Sequence, residues 1–229
     1  MNTLTVESSS IIGSKADLEL LEEKKSGRIL VLSDSHGDAE LVRKIIVNFG
    51  IDCDALVFCG DGMWDIISFV REALYDSDLQ AVLPPVVACA RGNGDGDRYE
   101  MDMTQDEETS QCYYHYFEVQ PMVSFRIAGR TVVAVHGHRH GVDYGIDTLQ
   151  SSGEMLDADL VFFGHTHRLF QEESGASLVL NPGSCSRPRG GFPPTFAVVS
   201  FPGGTERYRV EYFEIKRTLF GGTDFVPYH

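Results

Sequence analysis

Seven side chains that can bind a metal ion stand at or just after the ends of apolar runs in this sequence. They lie in five short motifs, each with a glycine in it or near it: DSH at 34–36, GDG at 60–62, GNGD at 92–95, HGH at 136–138 and GHTH at 164–167. Mixed carboxylate, amide and imidazole donors suit Mn, Fe, Zn or Co better than Ca or Mg. We therefore predict a transition-metal centre with the following ligands: Asp34, His36, Asp61, Asn93, His136, His165 and His167.

The number of donors exceeds what one tetrahedral ion needs. A set of seven matches two ions that share a bridging carboxylate, and two ions about 3.5–4 Å apart can clamp the oxygens of a phosphoryl displacement. Residues i and i+2 of an extended segment project to the same side, so each of the pairs in DSH and GHTH could grip one ion. Taken singly, Asp61 between its glycines is better explained as a turn residue and Asn93 could equally lie in a tight turn, but the joint occurrence at strand ends favours the metal site.

Alternating strand and helix patterns position these motifs. Buried strands are predicted at 28–33, 54–59 and 86–90, and amphipathic helices at 38–49 and 65–75. This order is typical of a parallel sheet, whose strand ends meet in one crevice, so motifs far apart in sequence can be neighbours. The polar segment 94–108 is predicted to be a loop or a small insertion. Further predictions are a hairpin turn at 129–130, a helix from about Asp143, and more antiparallel strands at 160–163, 170, 177–180, 195–201 and 208–215.

Composition limits the classes of protein that need to be considered. The chain has 229 residues and a formal net charge of −15, so an extended nucleic acid is not an expected partner. It has no run of 18 apolar residues and no secretory signal pattern, so no membrane association is expected. Five cysteines without a CxxC pair indicate free thiols and a cytoplasmic location. We expect a partly ordered arm at 1–27, with a short helix near 16–24, and a single domain at 28–229 with an insertion near 94–116.

The ordered set of five motifs resembles the calcineurin-like metallophosphoesterase superfamily, and in particular its small bacterial and archaeal phosphodiesterase branch. The segment NPGSCSRPR at 181–189 is similar to that branch as well, and the resemblance extends over residues 28–213. It implies an α/β fold in which two mixed β-sheets pack as a sandwich flanked by helices. It also implies how the ligands divide: Asp34, His36, Asp61 and His167 at the first metal, and Asp61, Asn93, His136 and His165 at the second, with Asp61 bridging.

The implied activity is hydrolysis of a small phosphodiester or nucleotide-like substrate by attack of a metal-bridging hydroxide. Two divalent transition-metal ions would be the cofactors, with Mn first and Ni, Fe, Zn or Co as alternatives. Asn93 could also orient a phosphoryl oxygen. Many members of the superfamily have a histidine acid after this asparagine, whereas this chain has Gly94. His138 is the best local substitute, and we expect activated or diester substrates to be preferred over simple alkyl monoesters.

Three questions stay open at the level of sequence. Arg187 and Arg189 could bind a substrate phosphate or pair with the acidic surface, while the rest of the NPGSCSRPR segment is expected to support the histidines. The alternative function is a catalytically weak protein-binding scaffold on the same fold, like the retromer subunit that resembles this branch. A scaffold is expected to lose ligands, and here all seven positions are occupied. The third question is whether the chain forms a homo-oligomer.

Overall fold

The computed structural model describes residues 1–105, 112–174, 177–202, 208–218 and 221–229, with the backbone alone for 102–105, 112, 113 and 174. The strands in chain order are β1 (Ile11–Ile12), β2 (Ser26–Leu32), β3 (Ala55–Phe58), β4 (Val86–Cys89), β5 (Arg98–Gln105), β6 (Cys112–Glu118), β7 (Met122–Ile127), β8 (Arg130–Val135), β9 (Leu160–Phe162), β10 (Leu169–Ser174), β11 (Ser177–Pro182), β12 (Thr195–Pro202), β13 (Arg209–Arg217) and β14 (Thr223–Tyr228). The α-helices are α1 (Lys15–Glu23), α2 (Ala39–Phe49), α3 (Met63–Ala73), α4 (Ser77–Val82) and α5 (Asp147–Met155). Short 3-10 turns occupy Gly50–Asp52 and His138–His140.

The larger sheet has seven strands in the order β1-β4-β3-β2-β12-β13-β14. Its central strands β2, β3 and β4 are parallel, as predicted. Nearly every residue in them is buried, because one face packs on α2 and α3 and the other on the second sheet. Helix α2 starts where predicted, since the Asp38 side chain accepts a hydrogen bond from the backbone N–H of Leu41.

The smaller sheet has five strands in the order β10-β11-β9-β8-β7. Strands β7 and β8 form the predicted hairpin, but its turn lies one residue earlier than predicted, at Ala128 and Gly129, which both have positive φ as a tight hairpin turn requires. Between the two sheets lies a core of alternating apolar residues, including Val31, Val57 and Phe162. Helix α5 covers the outer face of the smaller sheet. The predicted sandwich of two mixed sheets flanked by helices is therefore confirmed.

The segment after the GNGD motif, predicted to be a loop or a small insertion, contains a strand. Strand β5 begins at Arg98 and pairs antiparallel with β6, which makes a separate two-stranded ribbon. Tyr99 and Met101 point inward while Arg98 is exposed, which is the two-residue period of a strand. The density of acidic residues in this segment obscured that period in the sequence. Residues 106–108 of the predicted loop lie outside the described residues.

The first 27 residues are packed against both sheets, because α1 lies on β7 of the smaller sheet, where the backbone N–H of Ala128 donates to the carbonyl of Leu21. Strand β1 pairs with β4, and Asn2 is buried and donates a 2.7 Å hydrogen bond to the carbonyl of Pro84. The predicted short helix is α1, and it begins with a capping box between Ser14 and Asp17. The domain boundary at residue 28 stays a prediction. In the part of the chain that the structure describes, the helices are all too short or too polar to cross a membrane.

Candidate metal centre

The ligand motifs meet at one end of the sandwich, where strands of both sheets terminate. Backbone hydrogen bonds join the motifs to one another: the N–H of Asp34 donates to Gly60, and the N–H of His36 donates to Asp61. A third bond, from Gly164 to the carbonyl of His136, ties the GHTH loop to the HGH loop. The crevice therefore has a fixed backbone frame before any side chain is considered.

The first group of converging side chains is Asp34, His36 and His167. The Nε2 atoms of the two histidines are 3.1 Å apart, and the Nε2 of His167 lies 3.2 Å from Oδ1 of Asp34. The Nδ1 of His167 donates to the carbonyl of Arg187 at 2.6 Å, so its Nε2 carries the lone pair when the ring is neutral. The pKa of His36 is lowered below its ordinary value, mainly by burial, and this favours the neutral ring.

Asp34 supplies the strongest evidence that this group fits a cation. Its side chain is fully buried, and Oδ2 accepts hydrogen bonds from the Ser33 hydroxyl and the backbone N–H of His165. Oδ1 has no hydrogen-bond partner among the residues that the structure describes. A buried carboxylate oxygen without a partner is costly, and here it faces imidazole nitrogens. A divalent ion bound among these atoms would satisfy all of them.

The second group is Asp34, Asp61 and His136, with His165 beside it. His136 donates from Nδ1 to the carbonyl of Cys59 at 2.7 Å, so Nε2 faces Oδ2 of Asp61, 3.5 Å away. His165 places its Nδ1 3.3 Å from that same Nε2 and its Nε2 3.0 Å from Oδ2 of Asp143. Donation to Asp143 leaves the lone pair of His165 on Nδ1. Two imidazole lone pairs and a carboxylate therefore converge on one point.

The electrostatics of the second group also favour positive charge. Burial alone would lower the pKa of His136, but contact with Asp61 and the charge of Asp34 outweigh it and raise this pKa. Burial would raise the pKa of Asp61, but His136 and the backbone N–H of Gly94 hold it well below its usual range. A metal ion at this point would supply the positive charge that a second proton on His136 otherwise provides.

The remaining predicted site residues lie around these two groups. Asn93 is exposed between Gly92 and Gly94, and Gly94 donates a 2.7 Å hydrogen bond to Oδ1 of Asp61. The ring of His138 is centred 5.4 Å from that of His136. Asp34, rather than Asp61, belongs to both groups. The bridging role of Asp61, the coordination by Asn93 and His165, and the acid role of His138 stay predictions.

One argument used for the prediction is wrong in its geometry. The ligands are not in extended segments, because Asp34, His36, Asp61, His165 and His167 all have positive φ, between 49° and 68°. Such left-handed residues turn the chain sharply at each strand end. The two histidines of GHTH consequently face different groups, His167 towards Asp34 and His165 towards His136. The i and i+2 rule would have placed them side by side.

Three acidic residues that the sequence prediction left without a role hold the ligand loops. The carboxylate of Asp95 accepts hydrogen bonds from the backbone N–H groups of four residues: Asp61, Gly62, Met63 and Gly92. These bonds fix the Asp61 loop at the start of α3. Buried Asp65 accepts from the Ser35 hydroxyl at 2.5 Å and from Gly37. Asp95 is the last residue of the GNGD motif, so the motif itself could have indicated that this residue has a role at the site. Asp143 contacts His165 across 22 positions of sequence, and no local pattern indicated it.

The NPGSCSRPR segment supports the ligand loops, as predicted. Ser184 donates to the carbonyl of Asp34 at 2.7 Å, and Asn181 donates to the carbonyl of Gly164 at 2.8 Å. Arg187 and Arg189 have exposed side chains. Arg187 reaches the carbonyl of His36 at 3.4 Å. Neither arginine has an ion-pair partner among the described residues, so the predicted alternative of pairing with the acidic surface is not observed there.

The clustered aspartates and histidines, on a fold shared with phosphoesterases, belong to a metal-binding hydrolase that acts on phosphoester bonds. The chain belongs to the calcineurin-like phosphoesterase superfamily, whose domain model matches residues 28–203. It is 26% identical over 174 residues to the probable metallophosphoesterase YsnB of Bacillus subtilis, covering 75% of this chain and 83% of that one. It is 25% identical over 159 residues to phosphodiesterase MJ0936 of Methanocaldococcus jannaschii, covering 69% and 84%. The structure of Vacuolar Protein Sorting 29 from Cryptosporidium parvum has the same fold, with a TM-score of 0.59 at 17% identity over 90% of this chain and 98% of that chain.

Proposed function

We propose that this protein is a dinuclear metal-dependent phosphodiesterase that hydrolyses a small phosphodiester or nucleotide-like substrate in the cytoplasm. The observation that carries the proposal is the buried, unpartnered Oδ1 of Asp34, towards which the Nε2 atoms of two histidines point. A cation would satisfy the acceptor atoms at this position, and the second group, around Asp61 and His136, adds a second set of converging ligand atoms. The cytoplasmic location is in keeping with the four described cysteines, all of them free and buried.

The proposed ligands keep the division that the superfamily resemblance implies. Asp34, His36, Asp61 and His167 would hold one ion, and Asp61, Asn93, His136 and His165 the other. When bound, two divalent cations, Mn first among them, supply a water of lowered pKa and positive charge for the phosphoryl oxygens. The hydrogen bonds from His167 to Arg187 and from His165 to Asp143 fix which nitrogen of each ring faces the candidate metal centre.

Two further residues act on the substrate in this proposal. The exposed amide of Asn93 orients a phosphoryl oxygen. His138 delivers a proton to the leaving oxygen from Nε2, because its Nδ1 is buried. Burial first, and then the charges of His136 and His165, lower the pKa of His138, so only a minor fraction of this ring carries the second proton near neutral pH and its contribution as an acid should grow as the pH falls. Since Gly94 offers no proton and His138 is a weak substitute near neutral pH, unactivated leaving groups should be poor substrates.

The test is hydrolysis of phosphoesters by protein that has been stripped with a chelator and resupplied with single metals. Mn, Ni, Co, Zn and Mg would be compared on an aryl phosphodiester and on an unactivated alkyl monoester. We expect turnover of the diester to return with a transition metal, and the alkyl monoester to be slower by about 10²–10⁴-fold, the usual value of general acid catalysis. Comparable turnover of both substrates would contradict the proposal.

The alternative is a catalytically weak protein-binding scaffold, and the same experiment distinguishes it. The likeness to Vacuolar Protein Sorting 29 concerns the fold alone, which does not specify function. Protein that binds two ions per chain but hydrolyses no phosphoester with any metal would favour the scaffold. The occupation of all seven ligand positions favours the enzyme.

A further inference from the structure

A cavity of about 390 Å³ opens directly beside the second group of ligands. Asp143, whose carboxylate contacts His165, forms part of its wall, and so does Thr166, which lies between the two histidines of GHTH. Arg189 also lines the cavity, and its backbone N–H donates to the carbonyl of His167 at 3.0 Å. The cavity therefore adjoins the metal centre, and its volume lies in the range of small-molecule sites.

More than half of the residues that line this cavity are apolar, and three of them are phenylalanines. Phe163 and Phe170 meet edge to face, with their ring centres 5.8 Å apart. The remaining apolar lining comes from the loop before α5, from strand β10 and from the segment after Arg189: Val142, Ile146, Leu169 and Phe192. A phosphoryl group and its ions need no such surface. A flat organic group attached to the phosphorus would bury apolar area against it.

The rim of the cavity is cationic although the protein is acidic. Arg168 and Arg189 both line it, and both side chains are exposed. In the described part of the chain neither guanidinium has a carboxylate partner within ion-pair distance. Arg168 lies over Gly190, where a β-carbon would come within 3.0 Å of its Nε. In a chain with 34 acidic and 19 basic residues, two unpaired arginines at one cavity mouth indicate an anionic ligand.

We propose that this cavity is the subsite for the organic group of the substrate, and that it selects an aryl or nucleobase-like group carrying a second anionic charge. The apolar wall would contact the ring, and Arg168 and Arg189 would hold the second anion. This inference rests on the proposed function for the position of the phosphorus at the metal centre. It narrows the substrate from any small phosphodiester to a flat, doubly anionic one.

The test measures binding and needs no turnover. The probes are the monomethyl esters of ethylphosphonate, benzylphosphonate and 4-carboxybenzylphosphonate, whose C–P bond keeps the organic group attached. Dissociation constants for Mn²⁺-loaded protein would be measured by calorimetry. We expect the benzyl probe to bind about tenfold more tightly than the ethyl probe, from apolar burial. At low salt the carboxybenzyl probe should bind about threefold more tightly than the benzyl probe; the effect is small because both arginines are exposed.

Three variants assign these differences to residues. Phe192→Ala should reduce the advantage of the benzyl probe to about threefold or less, since it removes one aromatic wall. The double variant Arg168→Gln/Arg189→Gln should abolish the gain from the carboxylate and leave the preference for benzyl over ethyl. Arg71→Gln removes one positive charge from the exposed face of helix α3, away from the cavity lining, and should change neither ratio.

Two results would overturn the inference: ethyl and benzyl probes that bind wild-type protein within twofold of each other, or a Phe192→Ala variant that weakens both equally. Failure of the proposed function looks different. Protein that prefers the carboxybenzyl probe but hydrolyses no diester would retain the cavity as an aryl-anion site and refute the phosphodiesterase. Protein that hydrolyses diesters without any preference among the probes would refute only the cavity assignment.

Discussion

Asp143 should tune the affinity of the metal centre although it is not a proposed ligand. Its Oδ2 lies 3.0 Å from Nε2 of His165, on the opposite side of the ring from the Nδ1 that faces His136. This contact holds the proton on Nε2 and leaves the lone pair on Nδ1. Replacing the partner of a metal-binding histidine typically costs 10–100-fold in metal affinity.

The position of Asp143 sets where in that range the effect should fall. Its side chain is 52% exposed, so water screens the loss of its charge and can replace part of the hydrogen bond. We therefore expect Asp143→Ala to weaken metal binding by about tenfold, which corresponds to about 1.4 kcal/mol. In Asp143→Asn the amide oxygen can still accept the hydrogen bond from His165, so the metal affinity should fall by about threefold.

Titration of chelator-stripped protein with Mn²⁺ in a calorimeter measures this change. Asp147→Asn is the matched control, because it removes an exposed carboxylate four positions along the chain, at the start of α5, without contacting a histidine. It should change the affinity by less than about twofold. Equal Mn²⁺ affinities for wild type and Asp143→Ala would refute the inference that this contact selects the tautomer of His165.

Three other changes have definite expected outcomes. Asp61→Asn keeps a residue that tolerates the positive φ but removes the proposed bridging charge, so elemental analysis should find at most one ion per chain; full metal content with full turnover would refute the bridge. Asn181→Asp places a buried carboxylate against the carbonyl of Gly164, so urea denaturation should show a free energy of unfolding lower by about 3 kcal/mol. The control Asn48→Asp is exposed and should lower the free energy of unfolding by less than about 1 kcal/mol. In a Cys112→Ser variant, thiol labelling at pH 8 should be slow until the protein unfolds, because burial raises the pKa of Cys53 to about 11 and raises the pKa values of the other three: Cys59, Cys89 and Cys185. Labelling of Cys53 should become faster as the pH approaches 11. Rapid labelling of the native protein at pH 8 would contradict the burial of these thiols.

Local sequence was sufficient for most of the central elements. The strands β2, β3 and β4 are short apolar runs, and α2 and α3 have the spacing of one-sided helices, so period and composition identified them. The ribbon of β5 and β6 was missed because its alternation is carried by only a few apolar residues, such as Tyr99 and Met101, within an acidic stretch. Helix α5 begins at Asp147, four residues later than predicted, after the 3-10 turn and the cavity loop.

The sequence by itself was sufficient to identify the proposed donors of the candidate metal centre, because aspartate and histidine at strand ends carry their chemistry in their residue types. Tertiary structure alone decided how they are arranged. Positive φ at His165 and His167 sends the two rings of one motif to different groups, and Asp34 is shared between both groups. The contact of Asp143 with His165 and the cavity with Arg168 and Arg189 at its rim arise from loops distant in sequence. Such contacts depend on how the two sheets pack, which no local pattern of residues encodes.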